Sequence, residues 1–284
     1  MKQCKALFKK EIQTHWSILL TPVWFTGGVY VTTLIGLIIG WLKGSSLDWA
    51  VSVKHIPKGM EGLIMYSSVY SISLLLGVVA TITAIILADS LINGGFKRKC
   101  EILHLSQPVT LSRILGIKYL LMVPGTFLIF SLMALINAFV MSCLQIWFLS
   151  GHFYFGFVAW VQSILETGFS MMFLSSLFWF FAALYRQKSF FKGVLTILGI
   201  QAVISILNYT AGLDIPSLLG YIGRLATIRF ELNGSSNPQA LESVFYLITQ
   251  KWQMLWSWET LLKVVYSIAL FVGGFHLYRR RQVS

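Results

Sequence analysis

Six stretches of the chain are each apolar over roughly twenty residues or more, and nothing else in the sequence limits its folding options so sharply. The stretches cover about 18–42, 67–92, 114–144, 157–184, 190–208 and 259–278. A helix of about 20 mostly apolar residues crosses the hydrocarbon core of a bilayer, which supplies the apolar solvent such runs need. Of the 284 residues, 56% are hydrophobic and 11% are charged, against about 25% charged in soluble domains. The expected fold is therefore all-α: a single transmembrane domain over 1–284 that crosses the membrane six times.

Lysine and arginine set the orientation. Fifteen of the 22 fall in the N-terminal segment, between spans two and three, between spans four and five, and after span six. The other seven are spread mainly over two longer loops at 43–66 and 209–258. Positive charge concentrates on the cytoplasmic side, so both termini are expected there, in a multi-pass protein of the cell membrane. The 209–258 segment is read as an extracytoplasmic loop. Its apolar portions near Pro216 and Leu241 are too short to span and read as interfacial or re-entrant helices.

The net charge of +12 raises the question of nucleic acid. The basic residues lie in short patches between apolar runs, which is the pattern of loops against anionic lipid, so no nucleic-acid partner is expected. Cys4, Cys100 and Cys143 form no motif, and the five histidines are widely spaced. No Gly-Lys dipeptide exists, so no P-loop can cradle a nucleotide. The expectation is no metal, no catalytic residues and no cofactor bound by this chain. The charged N-terminus and the long first run also argue against a cleaved signal peptide.

The segment 93–113 is the most informative. Residues 97–105 suit a short amphipathic helix stopped by Pro108, with Thr110 or Ser112 capping the helix of span three. Exposed Phe96, Ile102, Leu103 and Leu105 beside Lys97, Arg98 and Glu101 suit a docking helix for a cytoplasmic partner.

The run Glu101-Ile-Leu-His-Leu-Ser-Gln-Pro-Val-Thr-Leu-Ser-Arg-Ile-Leu-Gly-Ile-Lys118 resembles the coupling segment of ATP-binding-cassette (ABC) type-2 exporter permeases. Leu7-Phe-Lys-Lys-Glu-Ile-Gln-Thr-His-Trp16 is similar to that family's amphipathic elbow helix, giving elbow residues Phe8, Lys9, Lys10, Glu11 and Trp16 within 1–17. One departure is Gly95-Phe-Lys-Arg-Lys-Cys-Glu101, where the family often has an acidic lead. The resemblance implies a permease subunit that exports a lipid, peptide, drug or similar substrate. It implies a second permease copy or paralogue, and a cytoplasmic ATPase subunit that uses ATP and Mg; Phe96, Lys97, Arg98, Glu101, Ile102, Leu103, Leu105 and Pro108 would meet that ATPase. Membrane lipids and an extracytoplasmic partner complete the expected contacts. The alternatives are an ABC-type mechanotransmission complex acting on such a partner, and an ATP-independent channel or secondary transporter, which would need clustered ionisable groups at mid-membrane.

Polar residues inside the spans are the candidate lining of a translocation path, because ionisable groups there are costly and functional by default. Glu166 and Gln162 lie one helical turn apart in span four, and Asn137 and Asn208 are further candidates. The amides equally suit bonds between helices, as does Gln201. Asp89 is expected to pair with Lys97, Arg98 or a lysine of the elbow helix. Glu259 and Lys263, four residues apart, are expected to pair at the interface. Gly36, Gly40 and Gly44 put small residues on one face of span one, which suits close helix packing.

Overall fold

A computed structural model describes residues 2–43, 61–97, 110–149, 152–185, 187–226 and 240–283. Among these residues the structure is helical throughout: α1 (Lys2–Leu19), α2 (Thr21–Leu42), α3 (Glu61–Lys97), α4 (Leu111–Leu120), α5 (Thr126–Leu149), α6 (Phe153–Leu184), α7 (Ser189–Ala211), α8 (Leu218–Ala226), α9 (Ala240–Leu255) and α10 (Trp258–Val283). Six helical stretches are long and apolar enough to cross a membrane: Lys5–Gly40, Glu61–Gly94, Leu111–Trp147, Phe153–Leu184, Ser189–Ala211 and Val244–Arg280. The chain is thus a multi-pass helical membrane protein.

The third span holds its proline by widening. Pro124 has no N–H to give the helix, and a π-turn over Leu121–Gly125 joins α4 to α5 there. Thr110 sits at the start of α4 in extended backbone and makes no side-chain cap; the backbone N–H of Arg113 bonds to its carbonyl instead.

Helices α3 and α6 form the centre. α10 packs on α6, and α5 packs against both α3 and α6. The main core cluster includes Leu76, Ala80, Ala84 and Leu87 of α3, Phe130 of α5, and Met171, Trp179 and Ala182 of α6. Small residues allow the approach: a Cβ on Gly77 of α3 would come within 2.5 Å of the Thr167 hydroxyl of α6. Spans one and five are placed differently. α2 leans on α3 and α5, α7 leans on α6 and α8, and most of their apolar side chains face outward. At Gly36, on the face expected to pack closely, a Cβ would find open space among the described residues.

The sixth apolar stretch, Val244–Arg280, takes in both the span expected at 259–278 and the short helix expected near Leu241. It is a broken helix: α9 ends at Leu255, the chain turns at Trp256 and Ser257, and α10 starts at Trp258. Lys251 and the tryptophans interrupt the apolar run in sequence. The carboxylate that receives Lys251 lies 85 positions earlier, so a local pattern does not show it.

The chain also folds back after α7. Gly212 takes a left-handed φ of 59°. The Asn208 side chain then accepts from the Ile215 N–H at 3.0 Å and donates to the Ile215 carbonyl at 2.9 Å. Gln201 accepts from the Ser217 hydroxyl and the Leu219 N–H, both at 3.1 Å. Gln201 lies about 15 Å below the end of α7, so α8 begins deep beside that span.

Candidate functional site

α6 is 32 residues long, about 48 Å, and Glu166 lies within three residues of its midpoint. A 30 Å hydrocarbon core centred anywhere near that helix encloses it. Carboxylates persist at such depth only with partners, and the partners come from helical spacing.

Residues four apart share a helix face. Gln162, Glu166 and Ser170 make one column on α6, and Tyr66 and Tyr70 make another on α3. The Tyr66 hydroxyl donates to Gln162 Oε1 at 2.6 Å, and Gln162 Nε2 donates to the Ile248 carbonyl of α9 at 2.9 Å. One turn along, the Tyr70 hydroxyl donates to Glu166, and Lys251 Nζ of α9 lies 3.8 Å from the same carboxylate. That ammonium also sits 5.2 Å from the centre of the Tyr70 ring, within cation–π range. A further turn along, Lys263 Nζ of α10 donates to Ser170 Oγ at 3.0 Å. Lys251 and Lys263 are both buried. The ladder ties α3, α6, α9 and α10 together at the level where span six breaks.

Beside the ladder lies a cleft of about 270 Å³, lined among others by Glu166, Arg224, Lys251, Trp258, Glu259 and Lys263. Five ionisable side chains therefore line one cleft beside the middle of α6. The sequence does not display this cluster, because Arg224 and Lys251 both fall in the segment 209–258, which reads as an extracytoplasmic loop away from the spans. Glu259 and Lys263, expected to pair, both line this cleft, and the Lys263 ammonium donates to Ser170 Oγ.

The other path candidates lie elsewhere. Asn137 of α5 accepts from the Tyr30 hydroxyl of α2 and donates to the Met133 carbonyl at 2.9 Å, which joins span one to span three. Asn208 closes the turn after α7. Only Gln162 and Glu166, of the four, are brought together.

A second polar group sits at the opposite end of α3, where α1, the start of α4 and the end of α6 gather; we call this the basic end. Asp89 accepts from Asn93 at 2.8 Å and from the hydroxyl of Ser189 at the start of α7. Asn93 also donates to the Tyr185 carbonyl, and buried Lys118 donates to the Leu91 carbonyl at 2.6 Å. Of the basic partners expected for Asp89, Arg98 and the side chain of Lys97 lie outside the described residues.

α1 is two-faced. Glu11 and His15 are buried 3.5 Å apart, with the Ser90 hydroxyl 3.2 Å from the ring of His15. Phe8, Lys9 and Trp16 border an outward groove, and Lys10 is exposed. Of the proposed docking residues, Phe96 and Lys97 end the backbone of α3. Arg98, Glu101, Ile102, Leu103, Leu105 and Pro108 lie outside the described residues. Among the described residues, no group of three or more His, Cys, Asp or Glu could hold a metal. No family model, curated protein or solved structure matches the chain.

Proposed function

We propose that the chain is the membrane-spanning subunit of an ATP-driven transporter, with its basic end and both termini cytoplasmic and a separate ATPase subunit docked on residues 96–108. The observation that carries this reading is the length and reach of α3. At 37 residues it is about 55 Å long, some 25 Å more than the hydrocarbon core requires. It brings Tyr66 and Tyr70 to the ladder near mid-span, and about 40 Å further on it delivers the chain into the segment that resembles an exporter coupling helix. A continuous helix packed along α6 would carry a push at one end to the other. ATP acts on such an element only by contacting its two positions differently, and the segment after Lys97 is where those contacts would form. α1, with a buried Glu11–His15 face and an outward Phe8 and Trp16 face, fits an elbow helix along the inner leaflet.

A second reading is favoured by one specific observation. Glu166 and the four ionisable groups around it are what an ATP-independent, ion-coupled transporter would place at mid-membrane.

The test is purification of the full complex from its native membrane, followed by reconstitution. The ATP-driven reading expects a co-purifying subunit whose ATP hydrolysis is stimulated by this chain. Glu101→Arg with Leu103→Arg should abolish that stimulation. Purification without any ATP-hydrolysing subunit, with transport that follows an ion gradient instead, would establish the second reading.

A further inference from the structure

We infer that the mid-span cleft binds a phosphate-bearing anion, with Arg224, Lys251 and Lys263 as its donors. This inference stands whether or not an ATPase drives the chain.

The first ground is charge. Three cations, one each from α8, α9 and α10, face the cleft against two carboxylates, Glu166 and Glu259. Glu166 is already engaged by Tyr70 and Lys251. Among the described residues the lining therefore holds one more cation than carboxylates, and an anion offsets it. The second ground is geometry. Cations from three different helices, with the hydroxyls of Ser257 and Thr260 between them, surround the space from several directions. That suits a tetrahedral oxyanion better than a planar carboxylate, which one guanidinium satisfies with two parallel bonds. The break in span six adds to this, since α10 begins at the cleft and directs the positive end of its dipole there.

The third ground is size and texture. About 270 Å³ lies just below the usual range for drug-sized ligands, so the cleft fits a head group rather than a large molecule. Phe169 and Trp258 supply an apolar wall beside the charges. A lipid phosphodiester presents an anionic head and an apolar body in that arrangement. A soluble phosphoester presents the same head alone.

The experiment uses the full chain in a phosphate-free maltoside detergent, with its melting midpoint read against increasing ligand. Short-chain phosphatidylglycerol, inorganic phosphate and short-chain diacylglycerol are the three arms. The inference expects phosphatidylglycerol or phosphate to raise the midpoint well beyond diacylglycerol. A response confined to phosphatidylglycerol identifies a lipid head group, and an equal response to phosphate identifies a soluble phosphoester. Arg224→Gln, on an exposed position of α8, should weaken the apparent affinity about tenfold, as loss of one charged hydrogen bond does. Glu259→Gln should tighten it. A purely structural role would move the unliganded midpoint and leave the ligand response unchanged. That result, or a response no larger than that to diacylglycerol, overturns the inference.

Discussion

Spans two and four on one hand, and spans one and five on the other, are all apolar enough to cross a membrane, yet they do different work. In spans two and four, 56% and 61% of the residues in the most apolar stretch are buried within the protein; in spans one and five the share is 6%. Hydropathy does not separate the two pairs. What separates them is what interrupts the apolar residues. α3 and α6 carry Tyr66, Tyr70, Gly77, Gln162, Glu166 and Ser170 at helical spacing on facing sides. α2 carries glycines that face open space, and α7 spends Gln201 and Asn208 on the turn that follows it. Lipid solvates an apolar side chain as well as a protein interior does. Close backbone approach and shared polar groups therefore decide which spans associate.

This contrast can be broken most severely at Glu166. Glu166→Leu leaves Lys251 buried without its carboxylate and should cost about 3–5 kcal/mol. Glu166→Leu combined with Lys251→Met should recover most of that loss. Denaturant titration of the purified chain reads both, and a double variant no better than the single one would show that the pair is not coupled. The next largest effect compares two glycines. Gly77→Val drives side-chain atoms into Thr167 and should destabilise by about 1–3 kcal/mol. Gly36→Val, in open space, should stay within about 0.5 kcal/mol. Equal effects at both positions would erase the distinction between central and edge spans. The mildest change is removal of single hydroxyls. Tyr66→Phe and Tyr30→Phe each delete one interhelical bond and should cost about 0.6 kcal/mol, and at most about 1.7. Tyr66 should be the costlier of the two, because its partner Gln162 is fully enclosed.

The sequence makes the number and type of spans legible, because an uninterrupted apolar run longer than about 20 residues has few other uses. Glu166 is legible for a related reason, as a carboxylate inside such a run. Its surroundings are harder to read. Tyr70 lies 96 positions from it, and Lys251 sits among tryptophans that lower the local hydropathy, beyond the short helix legible near Leu241. One signal was available: Tyr66 and Tyr70, like Gln162 and Glu166, stand four apart, which announces two polar columns of matching pitch. The glycines of span one carry the opposite lesson. A small-residue face permits close packing without supplying the neighbour.

The central claim is that α3 couples the segment after Lys97 to the ladder beside the cleft, which it reaches through Tyr66 and Tyr70. Its most direct test is a single cysteine at Thr260, in a background of Cys4→Ser, Cys100→Ser and Cys143→Ser, within the reconstituted complex. The rate of labelling by a membrane-impermeant maleimide is compared with and without ATP and vanadate. The account predicts that nucleotide trapping changes the rate several-fold, and that Glu101→Arg with Leu103→Arg abolishes the change. A labelling rate indifferent to nucleotide in the unaltered complex would contradict it.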